Sequence, residues 1–600
     1  MNIDTSKTVW GLTPLCKGDD DPNIPINRVK REEKIKSFIS KWGGRKDYLK
    51  SPEVMLEALN DYEDLNANYG TGGTEGFYFH LRAQDDQTNP DIKAKLNKIN
   101  EFEKKWNNEL RFFKLLISKI PLEEQAKFLD YHGLNKYKHY LELKFKRAKY
   151  LLSDNEEKII SLKKDGAHDK WTKMVSGLLS KEEREILMPE GLKKKNFSEI
   201  ATLIYNLDKK TRDSAAAAFN DIVLKYSDIA EAEINAVLEN KKVDDELRKM
   251  PRPDSDRHLS DDIDSEVVDV LVDSVSKRFE IAKRYYALKA KLLGLKKLEY
   301  HEREIPYGDV EKKFTYDEGV DIVYKAFNKI DRDFAGIFKN FVENGRIDAF
   351  PKKGKKSGAY CSYGLKIDPV YISLNHTDVL RDVMTIAHES GHGINFEMSR
   401  NKQNALNFDL SLATAEVAST FMEDFALQEV LKDVDDETRL SIMLERLNGD
   451  VSTIFRQIAC YKFEQELHKT FRDKGYLSKG EIGKMFQRNM AAYMGDAVEQ
   501  SPGSENWWIH WAHIRRFFYN YSYASGLLIS KAMQRALRGD SKFITKLKEF
   551  MSAGMSDSPK NIFAKMQIDI TKREFWNSGI DEIENLLRDA ENLAKKLGKI

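Results

Sequence analysis

Apolar residues recur at intervals of three and four along most of this chain, which is the spacing of amphipathic helices. Leu110, Phe113 and Leu116 form one such set. The same spacing predicts helix after helix from about residue 27 to residue 192, and further long helices between residues 201 and 298. The sequence therefore predicts a mainly α-helical protein.

A short region between residues 352 and 376 has a different pattern. Residues 369–375 alternate apolar with polar side chains at a period of two, and residues 357–363 form a second short segment of similar character. This alternation predicts a small β-sheet. The sheet precedes an apolar helix that is expected to begin near residue 378.

That apolar helix contains the sequence His388-Glu389-Ser390-Gly391-His392. Residues four apart lie on the same face of a helix, so His388 and His392 can direct two imidazoles at one point. Two imidazoles are half of a tetrahedral zinc site, and Glu389 lies at the edge of that face, within reach of a metal-bound water. Gly391 costs about 1 kcal/mol relative to alanine inside a helix, which indicates close packing against its backbone.

A catalytic zinc ion needs a third protein ligand, and the sequence limits the choice. A histidine six residues beyond His392, as in metzincins, would fall at Met398, so that class is excluded. Glu416 lies 28 positions after His388 (416 − 388), among small residues, which leaves room for a second helix to return antiparallel. We expect Glu416 to be the third ligand, and Glu423, two turns further on, to accept a hydrogen bond from a ligating histidine.

The zinc motif and the segment Ala415-Glu416-Val417-Ala418-Ser419 together resemble the oligoendopeptidase F branch of the thimet-oligopeptidase family of zinc peptidases. The resemblance covers nearly the whole chain. Asn395 departs from the family pattern, because many members carry a further histidine there. Other matching blocks are Leu81–Asp85, Tyr285–Lys289, Ser357–Cys361, Tyr371–Asn375 and Phe518–Gly526.

The resemblance implies an architecture and a cofactor. The expected fold is a large, mainly helical, two-lobed peptidase with a deep channel and a small β-sheet next to the zinc-binding helix. An N-terminal helical lobe would comprise residues 1–200 and a catalytic lobe residues 201–600, with the zinc helices at about 378–432. The expected cofactor is one Zn²⁺ per chain.

Two small residues of the β region, a glycine and an alanine, are candidates for substrate binding. Zinc peptidases commonly bind an extended peptide as an added strand at a sheet edge. Gly358 and Ala359 would leave such an edge sterically open. The resemblance implies that these two residues contact the substrate backbone.

A dense aromatic segment follows the zinc helices. Most of its rings are expected to be core, but phenol and imidazole groups that line a cleft can hydrogen-bond a developing oxyanion. The resemblance implies such a pair, with the histidine at His513 and the tyrosine roles at Tyr521 and Tyr523. Tyr519 is expected to contact substrate, and His510 is the alternative imidazole.

Charge and cysteine content exclude several classes of function. The chain has 98 Lys plus Arg against 97 Asp plus Glu, so no overall field favours nucleic acid or an anionic membrane. Cys16, Cys361 and Cys460 are widely separated and form neither a disulfide framework nor a cysteine zinc cluster. The first 25 residues lack a basic segment followed by a long apolar core, and nowhere do 18 apolar residues run together. We therefore expect a soluble cytoplasmic protein.

These observations favour one function and leave two alternatives. The favoured function is a zinc metalloendopeptidase that hydrolyses internal bonds of short oligopeptides through a zinc-activated water, with Glu389 as the general base. A zinc exopeptidase of the same class is the first alternative. A catalytically silent helical peptide-binding protein is the second, and the presence of Glu389 argues against it.

Overall fold

The computed structural model describes residues 3–308 and 312–600. Within those ranges the protein contains 25 α-helices and five short strands, so the prediction of a mainly helical fold with a small sheet is confirmed. None of the described helices is long and apolar enough to cross a membrane.

The chain divides into two compact units, each assembled from three segments. Unit 1 comprises Met1–Lys149, Glu311–Asp433 and Ala536–Ile568, and unit 2 comprises Tyr150–Val310, Val434–Arg535 and Asp569–Ile600. The predicted boundary between lobes at residue 200 falls inside unit 2. It stays a prediction, because a division by packing density need not coincide with a division by function.

The first segment of unit 1 is a helical bundle with an aromatic core. Trp42 and Tyr48 are completely buried and meet edge to face with ring centroids 5.7 Å apart, and Phe113 packs beside Tyr48. Such large apolar side chains supply most of the free energy that holds helices together. The helices are α1 (Asn23–Trp42), α2 (Pro52–Asn68), α3 (Gly73–Asp85), α4 (Pro90–Ser118), α5 (Leu122–Leu129) and α6 (Lys138–Ala148).

Unit 2 begins with helices and one β-hairpin that the apolar spacing did not predict. Met188 pairs with Gly191 across a two-residue turn that contains Pro189, and proline cannot continue a helix. The helical prediction was therefore wrong at its C-terminal end. The elements are α7 (Asp154–Lys164), α8 (Lys170–Ser180), β1 (Glu183–Met188), β2 (Gly191–Asn196), α9 (Phe197–Leu203), α10 (Lys209–Lys225), α11 (Ser227–Arg248), α12 (Ser255–Ser260), α13 (Ser265–Ser276) and α14 (Phe279–Leu292).

The predicted sheet of unit 1 is present and has three strands in the order β3-β5-β4. The central strand pairs parallel with β3 and antiparallel with β4, so β4 lies at an edge. β3 was missed because two residues are too few to show a period. The elements are α15 (Tyr316–Ile330), α16 (Arg332–Glu343), β3 (Ile347–Asp348), β4 (Tyr360–Ser362) and β5 (Tyr371–Ser373).

Two helices of unit 1, α17 and α18, follow the sheet, as predicted for residues 378–432. The remaining helices return the chain to unit 2 and back. Their bounds are α17 (Leu380–Lys402), α18 (Leu412–Val430), α19 (Asp436–Asp450), α20 (Gln457–Lys474), α21 (Lys479–Met494), α22 (Tyr521–Gly539), α23 (Phe543–Ala553), α24 (Pro559–Lys565) and α25 (Arg573–Lys596).

Candidate metal centre

Helices α17 and α18 touch backbone to backbone at Gly391. A Cβ atom at this position would lie 2.7 Å from the Cα of Ser419 and 2.8 Å from the carbonyl oxygen of Ala418. Only glycine permits this approach, because any side chain would push the helices apart. The contact brings α17 and α18 together in antiparallel fashion, with their polar residues facing each other.

Three of these facing side chains converge on one point. The Nε2 atom of His388 lies 3.5 Å from Oε2 of Glu416, and the Nε2 atom of His392 lies 3.6 Å from the same oxygen. All three ligand atoms are within 4.8 Å of one another. A tetrahedral Zn²⁺ with ligands at about 2.0–2.1 Å separates them by about 3.3–3.4 Å, so this donor set fits the ion in both chemistry and spacing.

The electrostatics of these side chains match a site for a cation. Burial lowers the pKa of His388, but hydrogen bonds to the carboxylates of Glu416 and Glu423 raise it to about 10. Burial raises the pKa of Glu416, yet the two imidazoles hold it well below its ordinary value. The cluster therefore concentrates negative charge that needs a positive partner, either a proton or a metal ion.

A second layer of contacts orients the candidate ligands. Nδ1 of His388 lies 3.2 Å from Oε2 of Glu423, so a proton on Nδ1 would leave Nε2 as the nitrogen available to a metal ion. The hydroxyl of Ser419 lies 3.0 Å from the carbonyl oxygen of Glu416 and 3.2 Å from its Oε2, so its one O–H is shared between the two acceptors. The sequence predicted the contact of Glu423 and missed that of Ser419, although Ser419 lies one helical turn after Glu416.

Glu389 occupies the edge of the histidine face, as its position in the motif requires. Its side chain is buried, and burial raises its pKa, while the backbone N–H of Cys361 in β4 stabilises the ionised form. Glu389 is absent from the converging ligand set of His388, His392 and Glu416. A carboxylate with a raised pKa that ligates no metal can accept a proton.

The segment that precedes β4, residues 355–359, is held in place by side chains of neighbouring residues. Gly358 has a φ of +80°, where a residue with a side chain would be strained, and the side-chain amide of Asn375 donates to its carbonyl at 2.6 Å. Lys355 anchors the same segment through a buried ion pair with Asp348 at 3.3 Å. Gly358 is exposed and Ala359 is half-buried, so the small side chains leave the backbone accessible.

The predicted oxyanion residues lie in unit 2, where His513 and Tyr523 form a ring cluster with Tyr519, the predicted substrate contact. The ring cluster comprises His513, Tyr519 and Tyr523, with centroids 5.5–5.7 Å apart. Nε2 of His513 lies 3.0 Å from the hydroxyl of Tyr523, and all three rings are half-buried. His510 packs instead against Phe219, with centroids 4.9 Å apart. His513 is therefore the imidazole that accompanies the tyrosines.

Tyr521 has different surroundings from the ring cluster. It is completely buried, and its hydroxyl donates to Oδ2 of Asp261 at 2.7 Å. Burial also raises its pKa well above the ordinary value. The one O–H of Tyr521 is thus donated to a buried carboxylate. The oxyanion role of Tyr521 stays a prediction, and these surroundings favour Tyr523 for that role.

Asn395, the departure from the family pattern, has a structural contact in unit 1. It is buried, and its side-chain amide donates to the carbonyl of Met551 in α23 at 2.7 Å. This hydrogen bond ties α17 to a neighbouring helix. The residue is separate from the converging ligand set, so its identity leaves the candidate metal centre intact.

A second group of metal-type side chains occurs in unit 2. Asp213, His301 and Glu302 bring ligand atoms within 4.8 Å of one another. However, Lys209 lies between the two carboxylates, at 3.1 Å from Asp213 and 3.0 Å from Glu302, and Arg212 also pairs with Glu302. The protein's own cations already balance this group, so it lacks the character of a metal site.

Sequence models of two protein families match this chain. The model of peptidase family M3 matches residues 202–582, and the model described as oligopeptidase F matches residues 117–176. An oligoendopeptidase F homolog from Lactococcus lactis subsp. lactis is 24% identical over 608 residues, covering 99% of this chain and 98% of the relative. The longer match includes the candidate metal centre and the ring cluster.

Two solved structures share the fold. A candidate peptidase from Chlamydophila abortus matches with a TM-score of 0.86 at 22% identity, and 98% of each chain is covered. Oligoendopeptidase F from Enterococcus faecium matches with a TM-score of 0.70 at 18% identity, covering 96% of this chain and 99% of the other. At these identities the likeness establishes the fold alone.

Proposed function

The chain belongs to peptidase family M3, and from this membership we propose that it is a zinc metalloendopeptidase that cleaves internal bonds of short oligopeptides. The full-length relatives support a peptidase of the oligoendopeptidase F type. The zinc ion, the general base and the preference for internal bonds are proposed from the residues of this chain.

One observation carries the zinc assignment. The imidazoles of His388 and His392 both face a single carboxylate oxygen of Glu416, at 3.5 and 3.6 Å. We propose that these three residues hold one Zn²⁺ per chain. When bound, the ion supplies Lewis-acid polarisation and makes a water molecule acidic near neutral pH.

Glu389 is proposed as the general base. Burial raises its pKa, while His388, His392 and the N–H of Cys361 favour the ionised form. A buried carboxylate beside the proposed metal-bound water is suited to accept a proton. Glu389 would accept the proton of the attacking water and deliver it to the leaving amine. A binding protein without catalysis would have no need for a carboxylate at this position.

The edge strand β4 is the proposed platform for the substrate backbone. It pairs with β5 on one side only, and Gly358 and Ala359 precede it with little side-chain bulk. An extended peptide could add as a strand along this edge and align its main chain by hydrogen bonds. Main-chain recognition of this kind is compatible with oligopeptides of varied sequence.

His513 and Tyr523 are proposed to stabilise the oxyanion, and Tyr519 to contact the substrate. Burial and then the charge of Arg516 lower the pKa of His513, which favours the neutral imidazole. The contact between Nε2 of His513 and the hydroxyl of Tyr523 holds the two side chains together. With Nε2–H of His513 as the donor in this contact, the phenolic O–H of Tyr523 would be directed at a substrate oxygen. Oriented donors of this kind are worth several kcal/mol when charge develops on a substrate oxygen.

A peptide pair separates the proposed function from the exopeptidase alternative. We would compare an internally quenched oligopeptide with both ends blocked against the same sequence with free ends. Comparable kcat/KM for the two peptides, with products from an internal bond, is expected. Cleavage of the free-ended peptide alone would identify an exopeptidase, and no cleavage of either at full zinc content would favour the silent binding protein.

A further inference from the structure

Two consecutive phenylalanines in unit 2 adopt a backbone conformation that is unfavourable for residues with side chains. Phe517 has a φ of +49° and Phe518 a φ of +57°. We call this pair the Phe turn. Non-glycine residues with positive φ persist only where surrounding contacts over-determine them, and they concentrate at functional sites. The contacts that hold the Phe turn are therefore informative.

Glu464 of α20 supplies the main polar contact to the Phe turn. Its carboxylate is completely buried, and both oxygens accept the backbone N–H of Phe518, at 3.0 Å for Oε2 and 3.2 Å for Oε1. Burial raises the pKa of Glu464. Burying a carboxylate costs folding free energy unless hydrogen bonds compensate for the lost water, and the N–H of Phe518 provides such a bond.

Two further side chains, those of Arg257 and His468, contact the Phe turn. Arg257 donates to the carbonyl oxygens of Arg516 and Phe517, at 3.0 and 3.4 Å. One helical turn after Glu464, His468 packs its ring against both phenylalanines, with centroids 5.2 and 4.6 Å away. The Phe turn is thus held by α12 and α20 and not by its own sequence preference.

The Phe turn lies between the two parts of the ring cluster. His513 comes from the short helical segment before it, and Tyr519 and Tyr523 follow it. The distance of 3.0 Å between His513 and Tyr523 therefore depends on the direction in which the chain leaves the turn. A relaxed turn with negative φ would redirect the two tyrosines relative to the histidine.

We propose that Glu464 is a positioning residue for peptide hydrolysis: it holds the Phe turn in its strained form and thereby aligns Tyr523 with His513. The proposal rests on the proposed function of these two residues. Glu464 acts through the backbone of Phe518 and needs no contact with substrate. The main requirement is a hydrogen-bond acceptor at this buried point, and a charge is secondary.

Three variants test the requirement for an acceptor. Glu464→Gln keeps an oxygen that can accept the N–H of Phe518. Glu464→Met removes the acceptor at similar side-chain volume. Glu464→Asp keeps a carboxylate but places it one methylene further from the N–H. We expect E464M to lose roughly 10- to 100-fold in kcat with KM within about threefold, since misplacing a catalytic group by about 1 Å has effects of this order. E464Q should restore kcat to within about threefold, and E464D should fall between them.

Hydrogen exchange measured by mass spectrometry supplies a readout that does not depend on activity. Amides of residues 517–520 should exchange at least about tenfold faster in E464M than in the wild type, and at the wild-type rate in E464Q. Glu302→Met is the matched control, because Glu302 is a buried glutamate of the same unit that pairs with Arg212. E302M should lower Tm while leaving both kcat and exchange of the Phe turn unchanged.

The outcomes separate this proposal from the proposed function. Unchanged exchange of residues 517–520 in E464M overturns the positioning role. Faster exchange with unchanged kcat also overturns it, provided that Tyr523→Phe lowers kcat. An unchanged kcat in Y523F overturns the oxyanion role of Tyr523, and with it the positioning role of Glu464. The kinetics of Y523F therefore show whether the proposed function itself has failed. If E464M does not fold, the same comparisons are made with E464D.

Discussion

At the scale of single residues, the two glutamates next to the histidines have different chemistry because they have different neighbours. Glu416 faces two imidazoles, and these hold its pKa below the ordinary value. Glu389 is buried, and this burial raises its pKa. A carboxylate that stays ionised is suited to bind a metal. One with a raised pKa is suited to transfer a proton.

Replacement of Glu389 by glutamine tests the general base. The amide has the same shape but accepts no proton, so Glu389→Gln should retain about one zinc per chain and lose on the order of 10³-fold in kcat. Metal analysis and steady-state kinetics measure the two quantities. Glu397→Gln, on the same helix outside the motif, is the control and should keep near-normal turnover. A fully active E389Q enzyme would remove this residue from the reaction.

The two neighbouring tyrosines should respond differently to loss of their hydroxyls. Tyr523→Phe should lower kcat by roughly 10²-fold with little change in KM, as expected for a donor that acts mainly in the transition state. Tyr521→Phe leaves buried Asp261 without this donor, so it should lower the free energy of unfolding by about 1–3 kcal/mol. Kinetics and denaturant unfolding of both variants measure this contrast. The reverse pattern would return the catalytic role to Tyr521.

At the scale of helices and strands, local sequence predicted well the two helices that carry the candidate metal ligands. Helical spacing predicted α17 and α18, the glycine in the motif predicted a close approach, and Glu416 was expected on the returning helix. The two helices were predictable because helical spacing is a property of each element by itself. The β1–β2 hairpin was missed because its strands are rich in charged residues and show no clear alternation of apolar with polar side chains. Strand β3 was missed because two residues are too few to show any alternation.

The contact between α17 and α18 can be tested by adding one methyl group. In Gly391→Ala the new Cβ would meet the Cα of Ser419 at 2.7 Å, so the helices must separate. We expect a loss of about 1–3 kcal/mol in the free energy of unfolding, together with weaker zinc binding. Denaturant unfolding and metal titration measure these effects.

Gly336→Ala is the matched control for this prediction. It lies within helix α16 of the same unit, and a Cβ there would have no atom within 4 Å. Alanine should raise the free energy of unfolding by up to about 1 kcal/mol at this position, because it has the higher helix propensity. Equal effects of the two substitutions would contradict the close contact at Gly391.

At the scale of the whole molecule, a bound metal should stabilise the folded chain. The proposed ligands come together only on folding, so zinc at this site would bind the native state and add about 4 kcal/mol when its free concentration is 1,000 times the dissociation constant. The thermal unfolding midpoint should therefore rise with free zinc, as measured by calorimetry. Removal of the metal with a chelator should lower the midpoint and abolish peptide hydrolysis together.

Glu416→Ala should remove most of this dependence on zinc, because it deletes one of three converging donors. Glu429→Ala is the control on the same helix, since Glu429 pairs with Lys329 and Lys432 away from the histidines. That variant should keep the wild-type response to zinc. An E416A protein whose midpoint still rises with zinc as in the wild type would place the third ligand elsewhere.

The amino-acid sequence alone determined the helical class, the sheet before the motif, and the pairing of His388 with His392 on one face, because these depend on interactions between residues a few positions apart. Only the tertiary structure decided that Tyr521 is bound to Asp261, 260 positions away, and that Glu464 lies under Phe518. Partners so distant along the chain are set by how helices pack. No local period encodes that packing.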